Sequence, residues 1–148
     1  MRLSQLLERL EYEVVQGTED IAITTLINDS RKVEPGSVFV CISGAVSDGH
    51  RFATEVADKG AAALIVEKEV EVPGDVTVIR VEDTRYALAL MSAAYFGYPA
   101  NKLKIIGITG TKGKTTTTYM IRSILEEVGR KVGLIGTIEA IIGEKHIP

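Results

Sequence analysis

The chain has 148 residues, of which 45% are hydrophobic and 25% charged, so it can form one packed domain or two small ones. A net charge of −3 argues against nucleic-acid binding as its main role. A single cysteine, Cys41, excludes an intrachain disulfide, and neither a signal peptide nor a membrane-spanning stretch is visible. These features favour a globular protein of the reducing cytoplasm.

The first two thirds of the chain alternate between helix and strand patterns. Leucines at positions 3, 6, 7 and 10 have helical spacing and predict a short opening helix. Apolar and β-branched runs predict strands at 21–28, 37–42, 61–67 and 76–81. Further helices are predicted at 50–59, ending before Gly60, and at 86–96, capped by Asp83 or Thr84. We therefore expect an α/β fold, with residues 1–98 as a small amino-terminal domain.

A second domain is predicted from about residue 102, because glycine and proline interrupt the pattern at 97–99. A strand at 104–108, a helix from Lys114 to Val128 and a strand from Val132 to Ile135 follow. This order predicts the first βαβ unit of a parallel-sheet domain of the P-loop type. One such unit cannot cover both faces of its own strands, so we expect the domain to be cut off at Pro148.

The turn between that strand and that helix has the composition of a phosphate-binding loop. Gly110 and Gly113 let backbone amides converge on an anion, Lys114 can reach the β- and γ-phosphates, and the Thr115 hydroxyl can bind Mg²⁺. The amino terminus of the helix adds its dipole. The strict P-loop pattern nevertheless fails, because Ile108 stands where its first glycine should be. A glycine-rich turn without a ligand is the structural alternative.

Other polar residues favour structural roles when each is taken alone. Asp29 and Arg31 are typical of a loop with a capping acid and an ion pair. His50 follows Asp-Gly at a helix start and has neither the partner acids nor the ligand spacing of a metal or catalytic group. Glu139 and Glu144 are the remaining acids that could hold Mg²⁺, without a pattern to support them.

The loop Gly110–Thr116 resembles the nucleotide loop of the Mur ligase family, Gly-Thr-x-Gly-Lys-[Thr/Ser], which accounts for the departure from the strict P-loop. The family usually has asparagine where this chain has Lys112. Upstream, 29–40 and 44–52 resemble the amino-terminal domain shared by the MurE and MurF branches. The segment 132–137 is similar to MurE, so the resemblance covers nearly the whole chain.

The resemblance implies an ATP-dependent amide-bond ligase of peptidoglycan synthesis. It implies addition of the third stem-peptide amino acid, diaminopimelate or lysine, to UDP-N-acetylmuramoyl-L-alanyl-D-glutamate through an acyl phosphate. ATP and Mg²⁺ would be its cofactors, and we expect a monomer without nucleic-acid or membrane partners. A MurF-type ligase that adds D-Ala-D-Ala, a folylpolyglutamate synthetase and a non-enzymatic nucleotide-binding module stay open as alternatives.

The resemblance also implies roles for individual residues. Lys114 would be catalytic and Thr115 would bind the metal, while Thr116 could contact the α-phosphate or only pack on its helix. The ATP-binding residues would be Gly110, Thr111, Lys112, Gly113, Lys114, Thr115 and Thr116. The substrate-binding residues would be Ser30, Asn28, Gly44 and Ala45, with Asp29 and Arg31 shaping the pocket and Thr137 near the substrate entry. Because later family features lie beyond Pro148, we expect the chain alone to be inactive.

Overall fold

A computed structural model describes residues 1–44 and 47–148. Within them the chain divides into two compact units, Met1–Leu103 and Lys104–Pro148. None of the helices in these described ranges is both long and apolar enough to cross a membrane.

The first unit contains one five-stranded sheet in the order β1-β5-β4-β3-β2. Its strands are β1 (Glu13–Gln16), β2 (Leu26–Ile27), β3 (Val38–Val40), β4 (Ala63–Val66) and β5 (Thr77–Arg80). Strands β2 to β5 pair in parallel, whereas β1 is antiparallel to β5. The predicted α/β class with a parallel sheet is therefore confirmed. The strand predicted at 21–28 is much shorter, and β1 was not predicted, because its exposed edge residues lack an apolar run.

Three helices cover the two faces of this sheet: α1 (Leu3–Leu7), α2 (Ala53–Asp58) and α3 (Thr84–Tyr95). Along β3, Val38 and Val40 pack into a core with residues of α1 and α3, whereas Phe39 packs with residues of α2 on the opposite face. Both faces are buried, so the strands are continuous apolar runs rather than alternating ones. Cys41 is fully buried after β3, and burial raises the pKa of its thiol to about 12.

The parallel strands end at one common edge, where open α/β sheets bind their ligands. The segments that leave this edge begin at Asn28 after β2, at Cys41 after β3, at Glu67 after β4 and at Val81 after β5. Strands β2 and β3 are neighbours, with Leu26 opposite Val38 and Ile27 opposite Phe39. The segments that follow them therefore start side by side, although ten residues separate the two strands in the chain.

The second unit contains helix α4 (Lys114–Glu127) and an antiparallel sheet of β6 (Gly133–Ile135), β7 (Ala140–Ile142) and β8 (Lys145–Ile147). The strand predicted at 104–108 is not formed, and within the described residues no strand pairs with this segment. A parallel strand needs a neighbour to bind its backbone, and β6 instead pairs with β7, which follows it after a short turn. Ile105 and Ile106 are accordingly exposed.

One face of α4 is apolar and exposed. Met120, Ile124 and Val128 recur every four residues and therefore lie on one side of the helix. The described residues of the second unit leave more than half of each of these side chains accessible. This stripe is a hydrophobic surface that the unit itself does not bury.

Removing the cap of α3 should destabilise the first unit. Asp83 Oδ1 accepts hydrogen bonds from the amides of Arg85 (2.8 Å) and Tyr86 (2.9 Å). We expect Asp83→Ala to lower the free energy of unfolding by about 1 kcal/mol, because two helix amides lose their acceptor. Chemical denaturation followed by circular dichroism measures this, with Glu82→Ala at the exposed neighbouring acid as the control. Equal midpoints for both variants would contradict the capping role.

Candidate functional site

The loop before α4 is shaped by two glycines with positive φ. Gly110 has φ 146° and Gly113 has φ 77°, conformations that side-chain-bearing residues rarely adopt. Lys114 folds back over the loop, and its Nζ donates to the Gly110 carbonyl oxygen at 2.6 Å. All residues from 109 to 114 are exposed, so the loop presents its backbone and the ammonium groups of Lys112 and Lys114 to solvent.

The amino terminus of α4 is suited to bind an anion. Its N-cap residue is Gly113, which has no side chain to accept from the first helix amides. The earliest helix amide bonded to the cap residue is that of Thr117, whose N–H donates to the Gly113 carbonyl. The amides of Lys114, Thr115 and Thr116 precede the intrahelical ladder and carry the positive end of the helix dipole. These groups together can hold a phosphate.

Of the four threonines that follow Lys114, two are occupied within the helix. The Thr117 hydroxyl donates to the Gly113 carbonyl (2.9 Å), and the Thr118 hydroxyl donates to the Thr115 carbonyl (2.7 Å). The hydroxyls of Thr115 and Thr116 have no hydrogen-bond partner among the residues that the structure describes. They remain available for a ligand at the helix start.

The group in this unit that could hold Mg²⁺ is a hydroxyl rather than a cluster of acids. Across the described ranges no cluster of three or more metal-ligating side chains is present. Glu139, one of the acids considered from sequence, accepts hydrogen bonds from the Tyr119 hydroxyl and from His146 Nδ1. These bonds hold the pKa of Glu139 below its usual value. Thr115 fits Mg²⁺ as one oxygen ligand beside phosphate oxygens, the usual mode for this ion, whereas Glu139 is already engaged.

Ser30 begins a short 3₁₀ turn, Ser30–Lys32, after β2. Asp29 caps this turn by accepting from the Arg31 amide (3.1 Å), and its carboxylate pairs with the Arg31 guanidinium through two contacts of 2.8 Å. The Arg31 hydrogen bonds lower the pKa of Asp29 to about 2. Lys59, at the end of α2, donates to the Ser30 carbonyl (2.9 Å). The loop backbone is thus fixed from two sides, while the Ser30 hydroxyl has no partner within the described residues.

Gly44 lies in a tight loop after β3. Ser43 and Asp48 form an antiparallel bridge, and the Gly44 amide donates to the Ser47 carbonyl at 2.9 Å. A Cβ on Gly44 would lie 2.8 Å from that carbonyl oxygen, so any side chain would force the loop open. Ala45, the other residue predicted here, lies outside the described residues.

A polar network joins this loop to the ends of neighbouring strands, and its centre is His50. The side chain is buried, Nδ1 is 2.6 Å from Asp48 Oδ1, and Nε2 accepts from the Glu67 amide at 3.0 Å. The Glu67 carboxylate accepts from the Thr84 amide (2.8 Å), the Thr84 hydroxyl (2.7 Å) and the Ser43 hydroxyl (3.3 Å). Sequence reasoning treated His50 as lacking a partner acid, and this was wrong. Asp48 lies two residues before His50, and this short spacing could have indicated the partner acid.

The carboxylates of this network favour their ionised forms. The ammonium of Lys68, followed by hydrogen bonds from His50, holds the pKa of Asp48 well below its usual range. Hydrogen bonds from the hydroxyl and amide of Thr84 likewise lower the pKa of Glu67. Both acids are therefore acceptors at neutral pH and maintain the geometry around the loop.

The structure brings some of the predicted residues together. Ser30 and Gly44 lie on segments that leave adjacent parallel strands, so they belong to one edge of the first unit's sheet. The predicted ATP-binding residues form one loop and helix start in the second unit. The chain is therefore an α/β protein with polar loops at the edge of its parallel sheet and a glycine-lysine loop suited to bind an anion.

Comparisons with known proteins agree with this description. Residues 22–96 match the family described as "Mur ligase family, catalytic domain", and residues 108–147 match "Mur ligase middle domain". The chain belongs to the Mur ligase family, which confirms the resemblance inferred from its loops.

Individual relatives match almost the whole chain. The UDP-N-acetylmuramoyl-L-alanyl-D-glutamate--2,6-diaminopimelate ligase of Clostridium perfringens is 52% identical over 147 residues, covering 99% of this chain and 30% of the relative. A solved ligase of that name has a TM-score of 0.75 over 100% of this chain and 30% of its own; at 24% identity it shows the fold alone. MurF from Thermotoga maritima, solved with ADP, has a TM-score of 0.53 and 28% identity, covering 74% and 25%. The chain thus spans about 30% of the length of the curated relative.

Acid should weaken the network around His50. The pKa of Glu67 is lower in the folded chain than its ordinary value of about 4.3, so protonation favours the unfolded state. The stabilisation is fully present above that ordinary value and is lost as the pH falls through the lower folded value. We therefore expect wild type to lose more stability than Glu67→Gln between about pH 5 and pH 2.

Denaturation midpoints across that pH range measure the effect. Glu69→Gln, at an exposed glutamate two residues further along, is the matched control and should follow wild type. If the wild-type and Glu67→Gln curves run parallel to the lowest pH, the hydrogen bonds of Glu67 do not stabilise its ionised form.

Proposed function

We propose that this chain is part of an ATP-dependent ligase that joins 2,6-diaminopimelate to UDP-N-acetylmuramoyl-L-alanyl-D-glutamate in peptidoglycan synthesis. Identity of 52% to a relative of that name, over 99% of the chain, supports the reaction and the amino acid, which the sequence alone left between diaminopimelate and lysine. Because the chain spans 30% of that relative, the activity is that of a longer protein. We further propose that this enzyme is a cytoplasmic monomer without nucleic-acid or membrane partners.

The observation that carries the proposal is the exposed glycine loop at the uncapped start of α4. Three amides, the ammonium of Lys114 and two hydroxyls without a partner among the described residues lie there, and the loop has the family's Gly-Thr-x-Gly-Lys-Thr sequence. A related MurF was solved with ADP, which supports ATP as the ligand of this loop. We assign residues 102–148 to an ATP-binding domain, with Gly110 to Thr116 around the phosphates.

Lys114 has the central role in the proposed chemistry. Its ammonium donates to the Gly110 carbonyl in this structure. With ATP bound, it would instead donate to the phosphoryl oxygens and stabilise the negative charge that develops on them. The substrate carboxylate would attack the γ-phosphorus of ATP and release ADP. The incoming amine would then attack the acyl carbon, lose a proton and displace phosphate, which forms the amide bond. The Thr115 hydroxyl would supply an oxygen ligand to Mg²⁺, which neutralises phosphate charge when bound.

We assign residues 1–98 to binding of the UDP end of the substrate. Open α/β sheets bind ligands at the carboxyl edge of their strands, and the Ser30 and Gly44 segments leave adjacent strands at that edge. The Ser30 hydroxyl, which has no partner in the described parts of the chain, can bond the substrate, with Asn28 beside it. Gly44 offers backbone close to the ligand, and we include Ala45 from the same loop.

A MurF-type reaction is the second candidate, because MurF structures share the fold and one of them is 32% identical to this chain. The diaminopimelate ligase of Clostridium perfringens shares more residues with this chain, at 52% identity. The MurE-like segment 132–137 also favours the diaminopimelate reaction. An assay with both amine substrates separates the two candidates.

Loss of the Lys114 ammonium should abolish ligation. In the full-length enzyme we expect Lys114→Ala to lower kcat by at least about a hundredfold, since one electrostatic contact to the transition state is removed. Lys131→Ala, an exposed lysine beyond α4, is the matched control. ADP release and stem-peptide extension, measured with diaminopimelate and with D-Ala-D-Ala, report the reaction.

The 148-residue chain alone should give no product in this assay. Ligation by the isolated chain, or wild-type kcat in Lys114→Ala, would contradict the proposal. Extension with D-Ala-D-Ala in place of diaminopimelate would favour the MurF-type reaction.

Removing the Ser30 hydroxyl should weaken substrate binding. We expect Ser30→Ala to raise the dissociation constant of UDP-N-acetylmuramoyl-dipeptide about five- to tenfold, because one hydrogen bond to the ligand is lost. Titration calorimetry with the full-length enzyme measures it, and Ser4→Ala in α1 is the control. Identical binding by wild type and Ser30→Ala would remove Ser30 from the site.

A further inference from the structure

We propose that His50 is a positioning residue for the substrate loop at Gly44, which it holds through Asp48 as a neutral ring with its proton on Nδ1. The inference rests on the proposed function, because it takes the Gly44 loop to contact the UDP-linked substrate. It concerns a residue that the phosphate-loop chemistry does not use.

The hydrogen bonds of His50 determine its protonation. The Glu67 amide donates to Nε2 at 3.0 Å, and a ring nitrogen that accepts a hydrogen bond carries no proton. The proton of the neutral ring is therefore on Nδ1, which donates to Asp48 Oδ1 at 2.6 Å. Only 7% of His50 is exposed, so water cannot replace these partners. Because both nitrogens are engaged, His50 is not a proton-transfer group.

Asp48 connects this ring to the loop. Its carboxylate accepts from the His50 ring, from the His50 amide at 3.0 Å and from the Lys68 ammonium. Its backbone forms the bridge with Ser43 that closes the loop. A rotation of the ring would therefore move one end of the loop that contains Gly44.

The other end of the loop is held by the same neighbouring segment. The Ser43 hydroxyl donates to Glu67, and the Ser43 carbonyl accepts from Arg85 at 3.2 Å. Glu67 is thus linked to Ser43 through its side chain and to His50 through its amide. The charged groups around the ring are Asp48, Glu67 and Lys68, and they join the segment after β4 to both ends of the loop.

Two substitutions at His50 each remove one of the two hydrogen bonds of its ring and keep the other. In His50→Asn the side-chain amide can still donate to Asp48 but cannot reach the Glu67 amide. In His50→Gln the carbonyl can accept from the Glu67 amide while the bond to Asp48 is lost. Each variant loses one hydrogen bond and is uncharged, so the pair is matched.

The experiment measures the kinetics of the full-length ligase. We expect His50→Gln to raise KM for UDP-N-acetylmuramoyl-dipeptide about tenfold, with kcat and KM for ATP unchanged, and His50→Asn to restore KM to near the wild-type value. A purely structural role instead predicts equal losses of denaturation midpoint in both variants with KM unchanged, and this result would overturn the proposal. An inactive wild-type enzyme would refute the proposed function itself.

Nitrogen NMR of the 148-residue chain tests the ring directly, without catalysis. We expect a proton on Nδ1 and a bare, hydrogen-bonded Nε2, the rarer neutral form. A proton on Nε2 would overturn the proposal, because the Glu67 amide could then not donate to it.

Discussion

The parallel pairing of β2, β3, β4 and β5 is the constraint on which the first unit depends. Both faces of β3 are buried, Val38 and Val40 on one side and Phe39 on the other, so the sheet needs helices on both sides. Parallel strands also end at one edge. The loops that follow paired strands are therefore neighbours, whatever their distance along the chain.

This common edge explains the polar network. Glu67 follows β4 and Ser43 follows β3, and these strands are paired, so the carboxylate reaches the hydroxyl and the Glu67 amide reaches the ring of His50. The parallel pairing of β2 with β3 likewise makes the Ser30 and Gly44 segments start side by side. A substrate bound at this edge would contact loops whose backbone is already fixed by Asp29, Lys59 and the His50 network, which lowers the cost of ordering them.

The second unit depends on local geometry instead. Two glycines with positive φ turn the chain into α4, and Lys114 and the first helix amides are concentrated within one helical turn. The candidate anion site therefore needs no distant residue, and its chemistry is readable from a few consecutive positions. The stripe along α4, in contrast, is apolar surface that the described residues leave exposed.

The sequence alone determined the features that arise from consecutive residues. It predicted the buried strands from apolar runs, a helix cap at Asp83 or Thr84, the glycine-lysine loop and the family resemblance. The tertiary structure decided the order of the strands, the pairing of β1 with β5, the absence of a strand at 104–108 in the described chain and the bond from the Glu67 amide to His50. Each of these features depends on whether a backbone group finds a hydrogen-bond partner far away in the sequence. Hydrophobic periodicity carries no information about which partner that is.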